Sequence, residues 1–149
     1  MSYKIVRWDT GALIYEAVAS GLADAILEAK GKKIDLRYAD FGWLTDWSHG
    51  QTEQIFSDYD FSYVKVYKKD RDPTSTETDW GLFSDKFIRN CNLFGATFEY
   101  ILISCYFTNC NLTYTDFSTC RMWSSFSNKS IIHNTFFGTG IYNTTKYKT

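Results

Sequence analysis

Few side chains in this sequence are suited to chemistry. There are histidines at His49 and His133, and cysteines at Cys91, Cys105, Cys110 and Cys120. A nucleophile needs a base within hydrogen-bond reach, and such pairs carry family-specific spacings. Neither histidine has a Ser, Cys or carboxylate at one of them. The cysteines follow C-x13-C-x4-C-x9-C, which matches no zinc pattern. Asp58-Tyr59-Asp60 offers two carboxylates for acid–base or metal work, yet no calcium-loop spacing follows and a solvated loop explains it equally well. No Gly-rich phosphate loop of either common type is present. The expectation is therefore a protein without catalytic residues, metal or cofactor.

The elements that would position any site are legible in part. "YKIVRWDTGALIYEAV" reads as two short strands around Asp9-Thr10-Gly11, with glycine at the left-handed position of a three-residue turn. "SGLADAILEAKG" reads as a short helix. Ser20 is placed to cap its start, Gly31 to end it in a left-handed conformation, and Leu22, Ile26 and Ala29 share one face. Residues 67–79, "YKKDRDPTSTETD", are polar, hold the one proline, Pro73, and read as a loop.

Charge divides unevenly. The whole chain of 149 residues is net −1, but 35–85 holds eleven acids and five bases, and 86–149 holds two acids and six bases. Neither value suits a strong nucleic-acid binder. No apolar run reaches the roughly 18 residues of a membrane-spanning helix. "MSYKIVRWDTG" lacks the apolar core and cleavage site of a signal peptide. A cytoplasmic setting with reduced thiols is expected. The triplets "NLT", "NKS" and "NTT" are then chance matches to a glycosylation acceptor.

Residues 91–142 repeat on a period of five, which belongs to neither helix nor strand. Large residues fall at Leu93, Phe98, Ile103, then after one step of four at Phe107, Leu112, Phe117, Met122, Ser127, Ile132, Phe137 and Tyr142. Two positions before these centres, ten of eleven residues are small; Ile101 is the exception there, and Ser127 is a misfit among the centres. Short units of this kind cannot bury their apolar residue alone and must stack.

The blocks "CNLFG", "ATFEY", "CNLTY", "TDFST", "CRMWS" and, upstream, "ADFGW" resemble the pentapeptide-repeat family, whose unit is small, polar, Leu or Phe, then two variable residues. The resemblance covers roughly 34–42 and 86–142. It implies a mainly β fold, a right-handed quadrilateral β-helix with four units per coil. On that reading residues 1–33 form a hairpin–helix cap. Residues 34–142 form the β-helix, with an irregular acidic insertion at about 42–85, and 143–149 form a tail. Phe98, Phe117 and Phe137 would stack, as would Cys91 and Cys110, the thiols serving as small core filler; a Cys91–Cys110 disulfide is sterically conceivable but disfavoured in a reducing compartment. Family members often dimerise through the C-terminal end, which points to Phe136, Phe137 and Tyr142 as a homodimer contact.

Phe94, Tyr100, Tyr106, Tyr114, Trp123, Phe126 and Phe136 fall between the centres and should face outward, with Tyr106 and Phe126 stacked on one face. Exposed aromatics at this density mark an interface, a homodimer seam or a surface lying under the insertion. The leading expectation is a non-enzymatic protein-binding scaffold, a phage or mobile-element antagonist of a bacterial nucleic-acid-acting or defence enzyme, anti-CRISPR-like. Its contacts would be Tyr100, Tyr106, Trp123 and Phe126, with Asp58, Asp60, Asp70 and Asp72 facing a basic groove. Alternatives are a DNA-mimic inhibitor or protector of DNA gyrase, against which the basic 86–149 segment argues, and a structural part of an assembly. Direct nucleic-acid binding is the weakest option.

Overall fold

The computed structural model describes residues 1–43, 51–72, 74, 79–127, 129–137 and 139–146. Side chains are described for all of these except 43, 79–82, 84, 123–127 and 139–146. Strands β1 (Tyr3–Val6) and β2 (Leu13–Ala17) pair antiparallel, and Gly11 takes the left-handed turn position at φ 76°. Helix α1 (Leu22–Gly31) buries Leu22, Ala23, Ala25, Ile26 and Ala29. Fully burying each of the larger two contributes roughly 1.5–3 kcal/mol.

The helix ends differ from expectation. Gly21, extended at φ −150°, is the N-cap and no side chain caps it. Gly31 is the last helical residue, and the left-handed position passes to Lys33 at φ 58°. Backbone bonds from Lys32, Lys33 and Ile34 to the carbonyls of Glu28, Lys30 and Ala29 close the end, so a glycine there is not required.

Two side chains of α1 tie it to its neighbours. Glu28 accepts from the Tyr15 hydroxyl at 2.5 Å and from the Val18 amide, which holds its carboxyl below the ordinary glutamate value. Lys30 donates to the carbonyls of Gln54, Ile55 and Ser57 at the end of α2 (Thr52–Phe56). Those three acceptors satisfy all three ammonium donors. Burial pulls the pKa of Lys30 down, but a fully bonded ammonium is a helix clamp rather than a nucleophile.

Among the described residues seven strands lie parallel. Strands β3 (Asp40–Trp43), β4 (Lys65–Lys68) and β6 (Thr97–Phe98) form one sheet in that order. Strands β5 (Asp79–Arg89), β7 (Ile101–Thr108), β8 (Arg121–Ser127) and β9 (Thr139–Lys146) form another. This corrects the expected fold class. Regular pairing falls into three separate sheets of two, three and four strands beside two helices, a mixed α/β arrangement, rather than one continuous quadrilateral β-helix. Part of the reason lies in the backbone. Left-handed residues at Asp58, Tyr63, Asn90, Tyr100, Asn109, Tyr114 and Asn134 interrupt the extended chain and leave isolated bridges between the sheets. The other part lies in 42–85, read from sequence as an irregular insertion. It supplies α2, β4 and most of β5, and it buries Ile55, Phe56, Phe61, Val64, Val66 and Phe83 in the common core.

Local chemistry explains the five-residue spacing without a solenoid. Where Asp or Asn precedes a large residue, it accepts from an amide two positions on: Asp40 from Gly42, Asp60 from Ser62, Asn92 from Phe94, Asn111 from Thr113 and Asp116 from Ser118. These are the self-closing turns to which Asp and Asn are suited. Six of the small residues two before a centre donate back across the core. Thr115, Ser130 and Thr135 hydroxyls reach the carbonyls of Leu93, Phe107 and Leu112, while Cys105, Cys110 and Cys120 thiols reach those of Phe83, Ile88 and Phe98. Phe98 lies 5.1 Å from Phe117, and Phe117 lies 6.3 Å from Phe137 at 14°. All four cysteines are free and buried. Burial pushes Cys110 up to about 11 and Cys120 up to about 12, so these are packing thiols.

Candidate partner-binding surface

Two groups of surface aromatics are present, and they differ in what covers them. The first runs from the hairpin loop down one side. The Arg7 guanidinium lies 4.2 Å over Tyr38, Tyr38 stacks on Tyr63 at 4.7 Å, and Phe94 meets Tyr63 and Tyr114 edge-on at 5.6 Å each. Trp8 donates from its ring nitrogen to the Tyr63 carbonyl at 2.6 Å. A Cβ at Gly95, itself at φ 67°, would lie 2.6 Å from the Tyr63 ring, so the missing side chain makes room for that ring. Arg7 and Asp9 form a forked pair that raises the pKa of Arg7 and lowers that of Asp9. This column joins the hairpin to the sheets.

The second group stands on the four-stranded sheet. The β5–β7 register sets Phe87 opposite Tyr106 and Ile88 opposite Phe107. Side chains alternate along a strand, so Ile88 and Phe107 go into the core and Phe87 and Tyr106 come out. The two rings stack at 4.8 Å with 15° between planes, and remain 50% and 44% exposed. Cross-strand aromatic pairs of this kind stabilise a sheet.

The residues expected from sequence to bind a partner scatter. Tyr106 is exposed as expected, and its neighbour is Phe87, which a count of centres beginning at Leu93 does not reach; one further step of five back reaches Ile88, which Phe87 precedes as Tyr106 precedes Phe107. Register sets Tyr106 opposite Ser125 and Phe126 opposite Phe107, so Tyr106 and Phe126 do not share a column. The misfit at Ser127 has the same origin: Phe126, four residues after Met122, takes the register of the buried Phe107. The side chains of Trp123, Phe126 and Tyr142 lie outside the described residues, as does His49; His133 is exposed. Tyr100 is half-buried beneath the Arg71 guanidinium, 3.3 Å from its ring centre. Phe137 packs against Phe117, whereas Phe136 is 55% exposed.

The expected acidic contacts Asp58, Asp60, Asp70 and Asp72 are all exposed, and each has a neighbour on the protein itself. Asp58 accepts from Asn90, which accepts from Asn109; Asp60 accepts from Ser62; Asp72 accepts from Thr74, which lowers its pKa; and Lys68 lies 3.9 Å from Asp70. Asp35 is forked by Arg37. A cleft of about 320 Å³ beside it is lined by Lys33, Leu36, Arg37, Tyr59 and Asp60, but the Tyr59 hydroxyl is bonded to the Ile34 carbonyl. Among the described residues no three His, Cys, Asp or Glu gather as a metal site, and no helix is long and apolar enough to cross a membrane.

No family model, curated protein or solved structure matches the chain. With the sheets separate and no family model matching, the likeness of blocks such as "CNLFG" to pentapeptide repeats does not establish membership of that family, and the readings that rested on membership lapse with it.

Proposed function

We propose that the protein is a non-enzymatic protein-binding module, working in the cytoplasm by occupying a surface of another protein, as an antagonist does. One observation carries this: the stacked Phe87–Tyr106 pair stands about half exposed on a parallel sheet. Large, rigid aromatic side chains with few rotatable bonds are the residues that most often dominate binding energy.

The test is affinity capture from bacterial lysate with the tagged chain and with a Phe87→Asp/Tyr106→Asp variant, alongside thermal melts of both. A single protein held by the wild type and lost from an equally folded variant supports the proposal. Equal capture by both moves binding off this sheet. Capture of a second copy of this chain alone makes the rings a homodimer seam.

A further inference from the structure

One step of the backbone ladder is missing, and a cleft stands in its place. At three successive levels the same two bonds recur. The Asn92 amide donates to the Tyr59 carbonyl and the Phe61 amide to that of Asn92, at 3.1 and 2.7 Å. The Asn111 amide donates to Cys91 and the Leu93 amide to Asn111, at 2.9 and 2.8 Å. The Ile131 amide donates to Cys110 and the Leu112 amide to Ile131, at 2.8 Å each. The matching step above these would join the Asp60 amide to the Ile34 carbonyl and the Leu36 amide to the Asp60 carbonyl. Among the described residues neither bond is made. The levels rejoin just beyond, where the Tyr38 amide donates to the Ser62 carbonyl at 3.1 Å. Successive residues of a parallel ladder bond to opposite neighbours. Tyr59 and Phe61 serve Asn92, so the Asp60 amide and carbonyl face 34–36 and the gap.

A side chain accounts for the gap. Tyr59 stands two before Phe61, the position that Cys91, Cys110 and Ser130 hold at the next levels. Those three are buried, whereas Tyr59 is half-buried and gives its hydroxyl to the Ile34 carbonyl in place of the Asp60 amide. What remains is the cleft of about 320 Å³ lined by Lys33, Asp35, Leu36, Arg37, Tyr59 and Asp60. Asp35 and Arg37 neutralise each other. Lys33 has no ion pair among the described residues, and Asp60 engages Ser62 through Oδ1 alone. The cleft therefore offers the amides of Leu36 and Asp60, the Asp60 carbonyl, and one uncommitted charge of each sign. Backbone groups left without a partner take water or a ligand. The volume lies at the lower end of small-molecule sites.

We propose that this cleft binds a short free peptide of dipeptide size, whose peptide unit fills the vacant ladder step while its carboxylate and ammonium meet Lys33 and Asp60. The ligand carbonyl accepts from the Leu36 or Asp60 amide, and its N–H donates to the Asp60 carbonyl. These are the bonds by which a strand recruits an extended peptide. The site is separate from the Phe87–Tyr106 face and does not rest on that reading.

The experiment is an NMR titration of the isotope-labelled full-length chain with alanylalanine. Two probes run beside it: free alanine, which has both charges but no peptide unit, and N-acetylalanine methylamide, which has peptide units but no charge. The expected result is a saturable shift of the Leu36 and Asp60 amide signals with alanylalanine, and binding about tenfold weaker for each of the other two. Lys33→Gln and Asp60→Asn each weaken alanylalanine binding by about tenfold, the size of one lost charged contact; asparagine keeps the acceptor for the Ser62 amide. Tyr59→Cys, the residue type of the next two levels, closes the step, so it slows hydrogen exchange at Leu36 and Asp60 and abolishes binding. If that variant does not fold, the two charge variants decide alone. No saturable shift at the Leu36 and Asp60 amides overturns the proposal, as does binding that survives both charge variants. Hydrogen exchange at Leu36 as slow as at Leu93 and Leu112 in the unliganded wild type also overturns it, because the step would then be bonded and the site absent.

Discussion

The Tyr38–Tyr63–Phe94–Tyr114 column and the Phe87–Tyr106 pair are built from the same residue types at similar spacing, and they differ in how they are anchored. The column is anchored at its upper end. Arg7 covers Tyr38, Trp8 bonds to the Tyr63 carbonyl, and Gly95 makes room for the Tyr63 ring. The pair has neighbours on its own sheet and no described element above it. A density of surface aromatics therefore does not by itself mark a binding site. What separates the two groups is that another segment of the chain returns to cover the Tyr38 end of the column, although its Tyr114 end stays as exposed as Phe87.

Substitutions can break or sharpen this contrast. The largest effect belongs to neither group but to the core between them. Phe117→Ala removes a fully buried ring that touches Phe98, Phe107 and Phe137, and should cost ~3–5 kcal/mol in a urea titration. A loss under ~1 kcal/mol would mean that the ring column is not what holds the sheets together.

Within the covered column, Tyr63→Ala should cost about 2 kcal/mol, since it removes two ring contacts. Gly95→Ala should cost ~1–3 kcal/mol from left-handed strain, plus whatever the Tyr63 ring must move. Gly11→Ala, left-handed but with nothing within 4 Å, separates the two causes by showing the strain alone. In the open pair, Tyr106→Ala should cost no more than ~0.5–1.5 kcal/mol of stability, the worth of one ring pair, while removing most of the binding. If Tyr106→Ala destabilises as much as Tyr63→Ala, the distinction between the two groups fails.

The smallest effect is electrostatic and lies near the hairpin. The Tyr15 hydroxyl holds the Glu28 carboxyl below its ordinary value. A group depressed on folding adds stability that is complete above its unfolded pKa, about 4.3 for Glu, and is lost as pH falls through the folded value. Glu28→Gln should therefore flatten the acid limb of the stability curve below about pH 4.3 and change little near neutrality beyond the lost bond. An acid limb identical to wild type would show that the Tyr15–Glu28 bond contributes nothing to folding.

Much of the local structure is legible before folding is considered. The Gly11 turn, the Leu22–Ile26–Ala29 face and the burial of Phe98, Phe117 and the four cysteines follow from residue type and spacing, because turns and periodic faces are short-range properties. Asp and Asn before Leu or Phe announce self-closing turns. The same pair at Asp60-Phe61 would have shown that 42–85 is part of the packed body rather than an insertion. Reading the helix ends from Ser20 and Gly31 failed because backbone bonds replaced side-chain caps. The step from a five-residue spacing to a continuous β-helix failed because spacing reports which residues go inward, not how long each strand stays paired before a left-handed residue interrupts it.

Sequence alone determined the inward-facing residues, the turn chemistry, the unreactive thiols and the uneven charge, since each depends on side chains within a few positions of one another. Tertiary structure decided the rest. It set Phe87 on Tyr106 and moved Phe126 into the register of Phe107. It gave Asp58, Asp60 and Asp72 local partners, and it brought the hairpin over the Tyr38 end of one aromatic group while leaving the Phe87–Tyr106 pair half exposed. These outcomes depend on cross-strand register over about 18–20 residues, where one residue of slip turns a side chain from the core to the surface.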